Sequence, residues 1–201
     1  MEIKKAEFLK SATDPSHYPN YPYPEFAFLG RSNVGKSSLI NMILGNRSIV
    51  KTSSKPGHTQ TINFFIINDA ISIADLPGFG FAKAPGQIRK NFIPMITRYL
   101  EERTNLKIAF LLIDARRKVE DEEREFIHIL SENRISTAIV ITKIDKLTNN
   151  ELSAKKKEFA ESLGISPEDL FLTSSSKKSG YEEIHELIKE NSERPSMGQD
   201  S

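Results

Sequence analysis

Gly30-Arg31-Ser32-Asn33-Val34-Gly35-Lys36-Ser37 is the stretch that decides how this chain is read. It is glycine, four residues, then Gly-Lys-Ser. EFAFLG (residues 25–30) leads into it and KSSLINMILG (36–45) follows. The first run predicts a short strand, and the second a helix stopping at Gly45. Strand, glycine-rich turn and helix in that order make a phosphate-binding P-loop. The glycines let the backbone wrap with its N–H groups aimed at phosphate oxygens. The helix N-terminus adds partial positive charge. Arg31, Ser32, Asn33, Val34 and Gly35 then surround the phosphates, with Ser38 counted in the same loop. Lys36 bridges the outer phosphates, and the Ser37 hydroxyl ligates Mg²⁺.

Thr142-Lys143-Ile144-Asp145 closes the apolar run STAIVITKID (136–145). Loops at the C-terminal edge of such a sheet line the ligand crevice. There the Asp145 carboxylate can accept hydrogen bonds from guanine N1–H and the 2-amino group. Adenine offers neither donor and is rejected. The stem of Lys143 can cover the base face. Taken alone, Asp145 is equally a helix cap; the P-loop upstream favours the base reading. Asp75-Leu76-Pro77-Gly78 ends another strand-like run, ISIAD. Asp75 would reach Mg²⁺ through water and the Gly78 N–H would touch a γ-phosphate, although the segment alone is an ordinary Pro-Gly turn. The polar stretch KTSSKPGHTQ (51–60) reads as a mobile loop, in which Pro56, Gly57 and His58 precede Thr59, a natural second Mg²⁺ ligand. Thr173, Ser174 and Ser175 end the last strand; the backbone N–H groups of the two serines would hold guanine O6, or the serines simply cap the strand. The residues expected to act in hydrolysis are Lys36, Thr59 and Gly78.

Between these motifs, strand and helix patterns alternate. INFFIIN and ISIAD flank a turn at Asn68-Asp69, and LKIAFLLIDA (106–115) reads as a strand buried on both faces. Helices are expected at 87–102, 120–133, 151–163 and 181–191, the first bent or broken at Pro94. Alternation of this kind argues for an α/β fold with an open, mainly parallel sheet. Residues 11–24, rich in proline and tyrosine, read as an extended lead-in pinned to the domain by its tyrosines. The expected division is an N-terminal extension over 1–24, a nucleotide domain over 25–192 and a flexible tail over 193–201.

Composition narrows the class. The 201 residues are 38% hydrophobic and 27% charged, with a formal charge of +1 and no cysteine. Absence of cysteine removes disulfides, thiolate metal sites, prenylation and palmitoylation together. No apolar run approaches the ~20 residues a membrane span needs, and residues 1–10 lack the apolar region of a secretory signal. The chain is expected to be cytoplasmic. Arg116-Arg117-Lys118, Lys155-Lys156-Lys157, and Lys83 with Arg89 and Lys90 are basic clusters. They are solvated faces or contacts for nucleic-acid phosphates.

The order GRSNVGKS, PGHTQ, DLPGFG, TKID, TSSSKKSG resembles the EngB (YihA/YsxC) family of small bacterial GTPases, TRAFAC-class P-loop G domains. The likeness runs from about Ala6 to Asn191. It implies a three-layer Ras-like P-loop NTPase fold, a mainly parallel six-stranded sheet with one antiparallel strand supplied by INFFIIN. It implies a monomeric GTPase using Mg²⁺ and GTP or GDP. Its implied partner is the large ribosomal subunit or its precursor (rRNA and ribosomal protein), with a link to cell division and septation and with no membrane or DNA partner. The chain departs from the pattern at His58, where arginine is usual, around Lys90-Asn91-Phe92, which lacks a tryptophan, and at Ser176, where Ras-like proteins carry lysine. Phe79 stands where those proteins place a water-orienting glutamine, so slow intrinsic hydrolysis is expected. Asn33 resembles the potassium-coordinating asparagine of cation-activated GTPases; K⁺ there would offset developing charge. Otherwise Asn33 merely tolerates a left-handed backbone. Two other readings stand beside this one: a P-loop ATPase or kinase, and a signalling or trafficking GTPase with no ribosomal role.

Overall fold

The computed structural model describes residues 2–45, 49–50, 61–79 and 85–193. The run before the P-loop is strand β2 (Glu25–Gly30), buried at every position, and the run after it is helix α1 (Lys36–Ile43). Val, Ile, Leu and Phe fill the continuous apolar runs β5 (Leu106–Asp114) and β6 (Ser136–Thr142), as strands covered on both faces require. INFFII and ISIAD form β3 (Ile62–Ile67) and β4 (Ile71–Asp75), joined by a turn in which Asn68 and Asp69 both take φ of 50°. Such left-handed pairs suit the twist of a two-residue hairpin. β7 (Leu170–Leu172) completes the expected six strands.

A seventh strand extends the sheet. β1 (Ala6–Ala12) pairs antiparallel with β3, giving the order β1-β3-β4-β2-β5-β6-β7. β3 alone runs against the other strands. The count is therefore seven, not six, because the lead-in reaches the sheet. Asn68 is the physical reason. Its side-chain oxygen accepts the N–H groups of Lys4 and Lys5, each at 2.9 Å, and its amide donates to the Glu2 carbonyl at 2.8 Å. After β1 the lead-in is a 3₁₀ turn at Pro15–His17, started by Asp14, whose carboxylate accepts the Ser16 N–H.

Side chains alternate along the central strands. Phe26, Phe28, Phe110 and Leu112 face Leu39, Ile40 and Ile43 of α1 and Ile184 and Ile188 of α5 (Tyr181–Glu193). Ala27, Leu29, Leu111 and Ile113 face the other layer. That layer is α2 (Pro85–Glu102), α3 (Asp121–Glu132) and α4 (Asn149–Leu163). The period of two thus builds three layers. α2 does not break at Pro94, which lies on the helix's exposed face while Phe92, Ile96 and Tyr99 hold the opposite face in the core. α4 begins two residues earlier than its pattern suggests, because Thr148 and Glu151 form a reciprocal capping box. Among the described residues no helix is long and apolar enough to cross a membrane.

β2, β4, β5, β6 and β7 run the same way, so their carboxyl ends, Gly30, Asp75, Asp114, Thr142 and Leu172, share one edge of the sheet. Ligands of open α/β sheets bind in the crevice outside that edge.

Candidate nucleotide-binding site

The loop after β2 is shaped by steric necessity. A Cβ at Gly30 would lie 2.8 Å from the Leu112 carbonyl oxygen, so only glycine lets β2 run this close to β5. Asn33 and Gly35 then take left-handed φ values of 62° and 108°. The Val34 N–H donates to the Arg31 carbonyl at 3.1 Å, and the Leu39 N–H to the Gly35 carbonyl at 2.9 Å, which starts α1 at Lys36. Val34 is buried and anchors the loop, while Asn33 is exposed at its tip.

Residues of the TKID motif hold this loop from outside. Thr142 Oγ1 donates to the Val34 carbonyl at 2.7 Å, and Lys143 Nζ donates to the Asn33 carbonyl at 2.6 Å. A peptide's N–H points opposite to its C=O, so fixing the Val34 carbonyl outward turns the Gly35 N–H inward, as a phosphate cradle requires. The end of the DLPGF segment docks on the same loop. The Ser32 N–H donates to the Phe79 carbonyl at 2.7 Å, and the Phe79 N–H to the Gly30 carbonyl at 3.2 Å. Gly78 lies against Ser32, and a Cβ there would sit 3.0 Å from Ser32 Cα. Leu76 is buried and its N–H bonds the Phe28 carbonyl at 3.0 Å, which places Pro77 and Gly78 just beyond the sheet. Lys36 Nζ bonds the Asp75 carboxylate directly, both side chains being largely buried.

The base-side motifs also converge. Ser174 Oγ donates to Asp145 Oδ1 at 2.6 Å, and that hydroxyl is the main cause of a carboxyl held below its ordinary pKa. Ile144 opens a 3₁₀ turn, its N–H donating to the Thr173 carbonyl at 3.3 Å. Thr173 returns a bond from its own N–H to the Ile141 carbonyl at 2.8 Å. Ser175 lies in a turn closed by two 3.0 Å backbone bonds between Ser174 and Ser179. Gly180 then passes the Leu172 carbonyl so closely that a Cβ would stand 1.8 Å from its oxygen. At φ of 77° no other residue fits.

Several side chains lie elsewhere than their motif suggests. The Arg31 guanidinium turns away from the loop to carboxylates at the start of α3, with Glu120 at 2.8 Å, Glu122 at 3.3 Å and Glu123 at 3.7 Å. Arg31 belongs to the loop by its backbone. Phe79 is 1% exposed and packs on Phe126 and Phe92, so it faces the core, where a water-orienting group would face the phosphates. Pro56, Gly57, His58, Thr59 and residues 80–83 lie outside the described residues. Asp114 lies outside the nucleotide-binding motifs of the sequence. It is 4% exposed at the end of β5 and faces the P-loop, beside a cavity of about 330 Å³ lined by Ser32, Asn33, Asp114, Arg116 and Lys143. The signal was present, an acid ending an otherwise apolar strand at the ligand edge. Ser37 follows Lys36 in the first turn of α1 and Asp75 ends β4 against Lys36, and their oxygens are hard donors of the kind Mg²⁺ takes.

A family model described as a 50S ribosome-binding GTPase matches residues 25–143. A probable GTP-binding protein EngB from Syntrophotalea carbinolica is 49% identical over 184 residues, covering 92% of this chain and 89% of the relative. The chain belongs to the EngB family. A probable EngB from Geotalea daltonii is 45% identical over 190 residues, covering 94% of this chain and 92% of that protein. A crystal structure of a probable EngB superposes with a TM-score of 0.68 at 26% identity, covering 84% of this chain and 98% of that one. As a member of the EngB family the protein binds GTP and is a GTPase with the Ras-like P-loop fold. The ATPase or kinase reading falls with that membership.

Proposed function

We propose that this GTPase is a cytoplasmic switch in assembly of the large ribosomal subunit. The observation that carries the reading is the match of residues 25–143 to a family described by its binding to the 50S ribosome. The partner would be the subunit or its precursor, met by a monomer through rRNA and ribosomal protein. The link to septation that the family resemblance implies would follow from that role, since growth and division depend on ribosome supply.

The reaction is transfer of the γ-phosphoryl group of GTP to water. Lys36, released from Asp75, would bridge the outer phosphates, and the inward Gly35 N–H would stabilise charge on them. Ser37 and Thr59, with Asp75 through water, would hold Mg²⁺. When bound, Mg²⁺ supplies charge neutralisation at the β- and γ-phosphates. Gly78, already against the loop at Ser32, would present its N–H to the γ-phosphate. Asp145 reads the guanine edge, the turn at Ser174 and Ser175 holds O6, and the γ-phosphate orders the segments after Lys51 and Phe79. The ordered state would bind the ribosomal precursor, and hydrolysis would release it.

Because Phe79 is committed to the core, this chain lacks a water-orienting side chain at that position, and intrinsic hydrolysis should be slow. Exposed Asn33 at the loop tip leaves its side-chain oxygen available to K⁺. Hydrolysis is expected to run about tenfold faster in KCl than in NaCl at equal ionic strength, a barrier difference of ~1.4 kcal/mol. Equal rates would remove the potassium role.

The ribosomal role is tested by co-sedimentation with bacterial large subunits in a salt series, comparing a non-hydrolysable GTP analogue, GDP and no nucleotide. Preferential pelleting with the analogue, weakening as salt rises, is expected for phosphate contacts made by a nucleotide-ordered surface. Pelleting that ignores the nucleotide would remove the switch, and no pelleting would remove the ribosomal partner.

A further inference from the structure

Asp114 ends β5 beneath the P-loop, and no step outlined above uses it. Its carboxylate lies between two cations. Arg116 donates through Nε to Oδ1 at 2.9 Å and through Nη2 to Oδ2 at 2.7 Å, and its backbone N–H adds a bond to Oδ1 at 3.0 Å. Lys143 Nζ stands 3.0 Å from Oδ2. The same ammonium donates to the Asn33 carbonyl at 2.6 Å. A P-loop carbonyl, a base-side lysine and a buried carboxylate are therefore joined at one nitrogen. Burial would raise the Asp114 carboxyl, but hydrogen bonds from Arg116 and then Lys143 outweigh it and hold it well below the ordinary carboxylate range. The group is charged at neutral pH.

Lys143 needs that charge. Its backbone sits at φ of 60°, and its side chain is 29% exposed, so the stem leaves the sheet edge with water on one side. A lysine stem carries about 2 kcal/mol of rotamer entropy, and a single carbonyl holds it weakly against hydration of the ammonium. A second, ionised acceptor on the protein side sets the direction of the stem and the position of the Asn33 peptide together. Arg116 is half exposed and remains hydrated whether or not Asp114 is charged.

We propose that Asp114 is a positioning residue for guanine-nucleotide binding, acting through Lys143 to hold the stem across the base and to fix the Asn33 turn of the P-loop. The inference rests on reading Lys143 as the cover of the base. GDP and GTP share the base and that turn, so Asp114 contributes equally to both. The γ-phosphate lies toward Lys36, Ser32 and Gly78 instead.

The test is a double-mutant cycle on the full chain with fluorescent methylanthraniloyl derivatives of GDP and a non-hydrolysable GTP analogue. Asp114→Asn keeps the size of the side chain and removes its charge. It is expected to weaken both nucleotides by about tenfold, through faster dissociation, as loss of a charge-assisted bond requires. In a Lys143→Ala background the further loss should shrink to less than about twofold, because the pair acts as one unit. A merely structural role would leave the two losses additive. Thermal unfolding without nucleotide checks that the variants are folded, and Asp114→Ser enters the same cycle should the asparagine variant not fold. Affinity within about twofold of wild type, an undiminished loss in the Lys143→Ala background, or a loss confined to one nucleotide would overturn the proposal. Failure of the unaltered protein to bind the GDP derivative would instead remove the guanine reading of Lys143 and Asp145.

Discussion

Asp145→Asn is expected to lower affinity for GDP and GTP by more than about a hundredfold and to create binding of xanthine nucleotides. The carboxylate offers acceptors only, and guanine presents two donors, N1–H and the 2-amino group. Xanthine carries a carbonyl in place of that amino group, so it meets a carboxylate with repulsion and an amide NH₂ with a hydrogen bond. Ser174 makes the switch cleaner. Its hydroxyl donates to Asp145 Oδ1 at 2.6 Å, which in the variant fixes the amide oxygen toward Ser174 and leaves the NH₂ facing the base. The side chain is 7% exposed, so water offers little relief to a mispaired edge. Competition against a fluorescent GDP derivative with GDP, XDP and ADP measures all three. Guanine affinity kept within a few-fold, or tight ADP binding by the unaltered protein, would remove Asp145 as the base reader.

How much of this was legible in the sequence follows from the range of the interactions. Gly30 to Ser37 form one local unit whose neighbours in sequence are its neighbours in space, so strand, turn and helix could be read directly. β5 and β6 were legible because a strand buried on both faces needs an unbroken apolar run. β1 was hidden because its signal is split: Ala6–Ala12 has an edge strand's mixed polarity, and the residue that recruits it, Asn68, sits some sixty positions away in a hairpin turn. Of the bend or break expected at Pro94, the break does not occur: Pro94 lies on the exposed face of a continuous α2 whose opposite face is held in the core by Phe92, Ile96 and Tyr99. Arg31 belongs to a motif whose sequence reading concerns phosphate, yet its side chain is claimed by three glutamates about ninety residues further on. The motifs at the strand ends were legible by type, but not the bonds among them. That Thr142 and Lys143 brace the carbonyls of Val34 and Asn33 is a fact of tertiary packing, and it makes base-reading and phosphate-cradling loops one mechanical unit.

The far end of the sheet carries the second large effect. Glu25 is fully buried at the start of β2, away from the carboxyl ends where the nucleotide binds. Five donors converge on it: Arg103 through Nε at 2.9 Å and Nη2 at 2.7 Å, the Tyr99 hydroxyl at 2.7 Å, Ser72 at 3.3 Å, and the Tyr21 hydroxyl in direct contact. Burial, together with the Glu25 charge, raises both phenols well above their ordinary range, so they stay protonated and donate. Arg103 also donates to the Pro19 carbonyl at 2.8 Å and lies over the Tyr21 ring at 4.9 Å, tying the lead-in to the end of α2. A charge this deep is tolerable only with its partners in place. Glu25→Gln turns one acceptor into a donor among donors and strips Arg103 of its counterion. It is expected to cost about 3–5 kcal/mol and to lower the midpoint of thermal unfolding by roughly 10 °C. Arg103→Met should cost at least as much, because it leaves the fully buried Glu25 carboxylate with hydroxyl donors but no counterion. Affinity of the folded fraction for GDP should stay at the wild-type value in both variants, since neither residue touches the ligand edge. Urea melts at fixed pH, read alongside GDP titrations, separate the two effects. A Glu25→Gln protein as stable as wild type would mean that the network is not what pins residues 18–25 to α2, and weakened GDP binding at unchanged stability would mean that the two ends of the sheet are coupled.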